Sequence, residues 1–218
     1  MKFHLNKPIH NNEVFPDTQD RHCDAWLQLL AMIERAVEDK RALFNPRKEL
    51  GGDVWHQITT LPKTIKHLKD VKHLMLYGSS LKRIPPEIGQ MTALEEFTPY
   101  TSYDLKWFPY EITECKQLND STVSTRAIYG NYKYRTIFPN LNHNPVKYFG
   151  NDTKCSICKA NSPTTGFEQY WLSYRVATDV LPLLANICSD DCFKQLPKGT
   201  DNYLPYPHKG GKDIHQPA

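Results

Sequence analysis

No stretch of the 218-residue chain approaches the ~20 consecutive apolar residues that a membrane-spanning helix needs, which argues against a membrane protein. The opening residues, MKFHLNKPIHNNEVF, lack the apolar core of a secretory signal, so a cytoplasmic location is expected. Charge of one sign is also scarce. A net charge of +3 is too mild to imply nucleic acid or an anionic membrane as partner. Catalytic signatures are missing too: there is no GxSxG, Walker or HExxH motif. The nine histidines offer no pair at metal-ligand spacing with a third ligand, so the sequence gives no positive sign of an enzyme. Hydrophobic residues make up only 39%, although Trp, Tyr and Phe are plentiful enough for ordered packing.

What is present is a comb of apolar residues recurring every 23 or 24 positions. Ile58, Leu61-Pro62, Ile65, Leu68, Val71 and Leu74 return as Leu81, Ile84-Pro85, Ile88, Met91, Leu94 and Phe97. They return again as Leu105, Phe108-Pro109, Ile112, Cys115 and Leu118, with Ser121 in the Phe97 slot. Self-similarity at this period, with LxxLxL spacing, marks a leucine-rich repeat, in which each turn is a short strand plus a convex return segment. The expected fold is α/β: a solenoid of about three repeats with parallel strands, an N-terminal capping helix and a small C-terminal module. Strands are expected near Lys72–Tyr77, Glu95–Tyr100 and Asn119–Ser124, and short helical turns at Pro62–Leu68, Pro85–Met91 and Pro109–Cys115. Proline suits the first turn of each, where its missing N–H costs nothing. Ser79, Ser102 and Arg126 stand where such repeats usually place Asn. Serine can replace part of the amide ladder and Arg126 cannot, which predicts a distorted third repeat.

The expected divisions are 1–49 for an N-terminal segment and capping helix, 50–140 for the repeats, 141–198 for a C-terminal cap and metal module, and 199–218 for a tail. Trp26, Leu29, Leu30, Ile33 and Val37 form one stripe, predicting a helix from about Asp17 to Phe44. Asp17 or Thr18 would cap it and Asn45-Pro46 would end it. The tail is expected either disordered or laid over the body through Tyr203, Leu204 and Tyr206.

Six cysteines would allow three disulfides, but their placement suits other roles. Cys115 fills the slot of Leu68 and Met91, as a small buried apolar residue would. Cys23 shares a helix face with Trp26 and Leu30. The other four are Cys155-x2-Cys158 and Cys188-x3-Cys192, paired as in a structural zinc site of a reducing compartment. KCSICK can form a knuckle, and CSDDCFKQL a short helix with Cys188 and Cys192 on one face. Four thiolates fill a tetrahedral shell, so the Zn2+ is expected to be structural. These cysteines and CSDDC resemble treble-clef zinc folds. The residues between the pairs, Trp171, Leu172, Val176, Val180, Leu183 and Leu184, would pack the module against the repeats.

Function then rests on surface. The inward strand positions are His73, Met75 and Tyr77, then Glu96, Thr98 and Tyr100, then Asp120, Thr122 and Ser124, with Tyr103 and Arg126 in adjoining loops. Tyr, Met and Arg are enriched at interfaces, so this concave face is the expected site for a protein or peptide partner. Two other readings stay open. One is zinc-assisted nucleic-acid binding through Lys154, Lys159, Arg175, Lys194 and Lys198; the other is acid/base chemistry at His73 beside Glu95, Glu96 and Asp120.

The stretch from IPPEIGQMTALEEF to YGNYKYR resembles bacterial cytoplasmic leucine-rich-repeat proteins that end in a four-cysteine module, over residues 50–200. IPPEIG is also similar to plant-type and Ras-associated repeats. The bacterial group has no established activity, so that resemblance implies architecture alone; the plant-type and Ras-associated repeats bind proteins, which implies protein binding and, by analogy, an immunity or regulatory role. It does not extend to the catalytic domain of secreted bacterial ubiquitin-ligase effectors.

Overall fold

The computed structural model describes residues 14–131, 133–134, 136–150 and 152–217; the sequence reading of the first thirteen residues lies outside this range. Helix α1, Asp24–Glu38, buries Trp26, Leu29, Met32, Ile33 and Ala36. It is shorter than the stripe predicts. Cys23, not Asp17 or Thr18, occupies the N-cap, with no side-chain cap bond. The helix stops because Lys40 adopts a left-handed φ of 49°. The Lys40 N–H then reaches the Val37 carbonyl and the Arg41 N–H the Ala36 carbonyl, the paired bonds of a Schellman ending. Glycine normally holds this position, so Lys40→Gly is expected to raise stability by about 0.5–1 kcal/mol in urea unfolding.

The residues released from the helix make strand β1, Leu43–Phe44, followed by α2, Pro46–Leu50, and α3, Gly52–Trp55. Strands β2 (His73–Met75), β3 (Glu96–Thr98), β4 (Phe108–Pro109) and β5 (Asp120–Ser121) follow. A four-stranded parallel sheet runs β1-β2-β3-β5. Its register pairs Leu43, His73, Glu96 and Asp120 in one row and Phe44, Leu74, Phe97 and Ser121 in the next. The strands are shorter than predicted, and β1 is an addition. One bonding pattern recurs along the sheet: Ala42 O accepts from Lys72 and His73 N, Lys72 O from Glu95 and Glu96 N, and Glu95 O from Asn119 and Asp120 N.

Opposite the strands lie three 3-10 turns, Lys63–His67, Pro86–Gln90 and Tyr110–Glu114. Pro62, Pro85 and Pro109 stand one residue earlier than expected, as N-caps with extended φ/ψ. The comb residues fill the space between sheet and turns, and all are buried except half-buried Leu118. Cys115 is among them, its thiol bonded to the Ile88 carbonyl at 3.2 Å and pushed up to about 12 by burial. The serine substitution works at two positions. Ser79 and Ser102 hydroxyls meet at 2.6 Å, and Ser102 also donates to the Leu76 carbonyl. The stack of hydroxyls ends there.

The third turn is closed by another element. Strands β6 (Glu168–Val176) and β7 (Asp179–Ile187) form an antiparallel hairpin, and β7 also pairs in parallel with β4, making a second sheet in the order β4-β7-β6. At the hairpin tip, Asp179 accepts from the Ser121 hydroxyl at 2.9 Å and Thr178 donates to the Ser121 carbonyl at 2.8 Å. Ser121, the one polar residue in its row, is thus satisfied by the hairpin. Leu172, Leu181, Leu183 and Ala185 join the core cluster formed by the comb. The tail lies over the body: Leu204 is fully buried, and His208 exchanges two backbone bonds with Trp171. Of the residues expected to anchor it, Tyr206 stays exposed. Among the described residues, no helix is long and apolar enough to cross a membrane.

Candidate metal centre and exposed strand face

The four cysteines that are far apart in sequence converge. The Sγ atoms of Cys155, Cys158, Cys188 and Cys192 all lie within 4.8 Å of one another. Cys158 and Cys188 are 3.4 Å apart, and Cys188 and Cys192 3.6 Å. A metal bound at ~2.3 Å by four thiolates in a tetrahedron would space them ~3.8 Å apart, so the cluster could hold a metal ion with small adjustments.

Each ligand is positioned by local structure. The knuckle around Cys155 turns through Lys159, whose φ of 62° is left-handed, and is closed by Lys159 N to Cys155 O and Cys155 N to Ala160 O. Burial disfavours the Cys155 thiolate, but backbone N–H groups of Cys158, Ile157 and Cys188 outweigh it and bring the thiol down to about 7. Neighbouring sulfurs, Cys158 first, push Cys188 up to about 12. Cys188 is not on the helix, as its spacing predicts. It follows the end of β7, and Ser189 caps the four-residue helix α4, Asp190–Phe193, which carries only Cys192 of the pair.

Ser156, inside the knuckle, ties this centre to strand β7 and the third 3-10 turn. Its N–H donates to the Asn186 carbonyl at 2.7 Å, and its hydroxyl accepts from Asn186 N and donates to Glu111 Oε1 at 2.7 Å. Glu111 stands on the third 3-10 turn and is buried. Loss of water pushes its carboxyl up to about 7, against the Ser156 bond and the Lys159 charge, with Glu114 adding to the rise. Since the folded state favours the protonated form, Glu111 contributes fully below pH ~4.5, and its contribution is lost as pH rises through ~7. Glu111→Gln is therefore expected to flatten stability between pH 5 and 8, gaining roughly 2–3 kcal/mol on the wild type at the alkaline end in urea titrations.

The strand face is the second assembly. Tyr77, Tyr100 and Tyr103 are 43%, 48% and 62% exposed, and the Tyr77 and Tyr100 rings lie 6.2 Å apart. His73 bonds Thr98 Oγ1 at 2.9 Å and sits 3.3 Å from Glu96. Met75 and Thr98 are half-buried, while Asp120 and Thr122 are exposed. Ser124 is a correction: it is buried, with a hydroxyl that has no partner among the described residues, and offers nothing to a surface. Arg126 stacks on Tyr134 at 5.8 Å, away from the strand rows.

The extra strand brings residues that the repeat pattern cannot find. Leu43 is exposed in the row of His73. Asn45 donates to Met75 Sδ, and the Arg47 guanidinium lies 5.7 Å from the Tyr77 ring while donating to Gly78 O. The candidate nucleic-acid cations are mostly engaged: Lys159 with Glu114, Lys194 with Asp191, Lys198 with Asp201 and Arg175 with the Thr178 carbonyl. No protein-family model matches the chain, and a search of curated proteins finds no match.

Proposed function

We propose that this chain is a short leucine-rich-repeat protein that binds a protein or peptide through its exposed strand face, with a structural zinc holding its C-terminal part. It is read as a cytoplasmic, non-enzymatic module, and an immunity or regulatory role fits that reading. The observation that carries it is the row of exposed aromatics: Tyr77, Tyr100 and Tyr103, with Arg47 against Tyr77. Tyr supplies large contact area at low entropic cost, and Tyr and Arg are enriched among the residues that dominate interface energetics. Four strands at ~4.8 Å span only ~14 Å, and a specific interface buries ~800 Å² per partner. The binding surface therefore extends to Leu43, His56 and the loop after Tyr100. For the metal, an all-sulfur donor set of near-tetrahedral spacing supports zinc, and a filled shell supports a structural role. The pairing of most of the basic side chains around the cysteines weighs against the nucleic-acid reading.

Affinity capture from a native lysate, with wild type compared to Tyr77→Ala/Tyr100→Ala, tests the binding face. A partner retained by wild type and reduced at least about tenfold by the double variant is expected, since each buried interface Tyr contributes ~1–2 kcal/mol. Equal retention by both proteins would refute it.

A further inference from the structure

On the side of the 3-10 turns, a cavity of about 450 Å³ shares no residue with the strand face. It is assembled from α1, the turn segments near residues 60–66, 83–90 and 111–114, and residues 148–149, 152–154 and 159. Its volume lies in the range of small-molecule sites. Much of the wall is apolar, with Trp26, Leu30, Leu61, Ile84 and Phe149.

The polar part of the wall is unusual. Arg83 and Glu111 are 4% and 7% exposed, and among the described residues Arg83 Nε, Glu111 Oε2, Glu87 Oε2 and Thr64 Oγ1 are all buried without a hydrogen-bond partner. Nearly all buried polar atoms in native proteins find one, so four orphans lining one cavity point to an occupant. They are not loose ends. Arg83 Nη1 is held by the Lys147 carbonyl at 2.8 Å and Nη2 by the Phe15 carbonyl, while Glu111 Oε1 is held by Ser156. Arg83 is anchored by both terminal nitrogens with only Nε left free, and Glu111 by one oxygen with the other left free. Arg83, Glu87 and Glu111 line this one cavity together with Tyr148.

The free groups have opposite signs. A plain cation would meet Arg83 and the lining Lys66 and Lys154; a plain anion would meet Glu87 and Glu111, the lining's other carboxylates being paired, Asp17 with Arg21, Glu114 with Lys159 and Asp152 with Lys63. A molecule carrying both an ammonium and a carboxylate satisfies both sets, and the apolar wall calls for an apolar side chain. We propose that the cavity binds a free apolar α-amino acid, with its ammonium toward the free oxygens of Glu87 and Glu111, its carboxylate toward Arg83 Nε, and its side chain against Trp26 and Leu61.

Isothermal titration of the full chain with L-leucine, L-methionine and L-phenylalanine tests this. At least one is expected to bind with a Kd below about 1 mM. For phenylalanine the controls are phenethylamine and 3-phenylpropanoate, which each lack one charged group and are expected to bind at least about tenfold more weakly than the strongest of the three amino acids. The Glu87→Gln/Glu111→Gln variant is expected to lose at least about tenfold in affinity. Glu87→Gln alone, at a half-buried position, serves if the double variant fails to fold. Three outcomes would overturn the proposal: no binding by any of the three amino acids, a half-molecule binding as well as the strongest of them, or wild-type affinity in the folded glutamine variant. The last would leave water as the ordinary occupant of the cavity.

Discussion

Removing the metal is expected to lower the melting temperature by about 10–20 °C, corresponding to roughly 5 kcal/mol in a chain of this size. In small peptides such a site is worth on the order of 10–16 kcal/mol, because nothing else holds the fold. Here the loss is smaller, since the β6–β7 hairpin is independently paired to β4 and shares the comb's core. What fails is the closure: the knuckle from Cys155 to Cys158, its Ser156 contacts to Asn186 and Glu111, and the start of α4. Four uncompensated thiols within 4.8 Å have no other reason to stay together. Cys188→Ser should reproduce the effect of a chelator and be insensitive to it. Cys23→Ser, remote from the cluster, should melt like the wild type. The check is a thermal scan of each protein with and without chelator.

Phe97→Ala is expected to destabilise the chain by about 3–5 kcal/mol in urea unfolding, a large share of the ~5–15 kcal/mol that holds a typical protein folded. Phe97 is fully buried at the centre of its row, between Leu74 and Ser121. Its ring meets Phe108 edge-on at 5.7 Å, and Phe108 belongs to the strand that pairs with β7. The residue therefore packs at the junction of the two sheets. Its loss opens a cavity that the rigid strand on either side cannot close. The same truncation at exposed Tyr103 should cost less than about 0.5 kcal/mol.

The comb was legible because a burial slot repeated in sequence is a burial slot repeated in space. Leu74 and Phe97 pair in register, with Ser121 next. The four cysteines were legible for the same kind of reason, as ligand spacing is a local property. The end of α1 was not, because Lys40 takes a left-handed conformation without the glycine that would announce it. Strand β1 went unseen as a consequence, since Phe44, seven residues after Val37, continues the helical stripe. The β6–β7 hairpin hid behind two features. Its tip passes through Ala177 at a φ of 51°, again with no turn residue, and Pro182 sits inside β7, where a proline argues against a strand. The cavity could not be read at all. Trp26, Arg83, Glu111 and Tyr148 come together only through tertiary packing, and nothing in their spacing relates them.

A structural metal differs from a catalytic one in having no position left for water or substrate. The most direct test is elemental analysis of the chain purified without added metal, combined with a thiol-reagent titration. The account predicts one zinc per chain, with Cys155, Cys158, Cys188 and Cys192 protected from the reagent until a chelator is added. Protein that carries no stoichiometric metal, or whose four clustered thiols react at once, would contradict it.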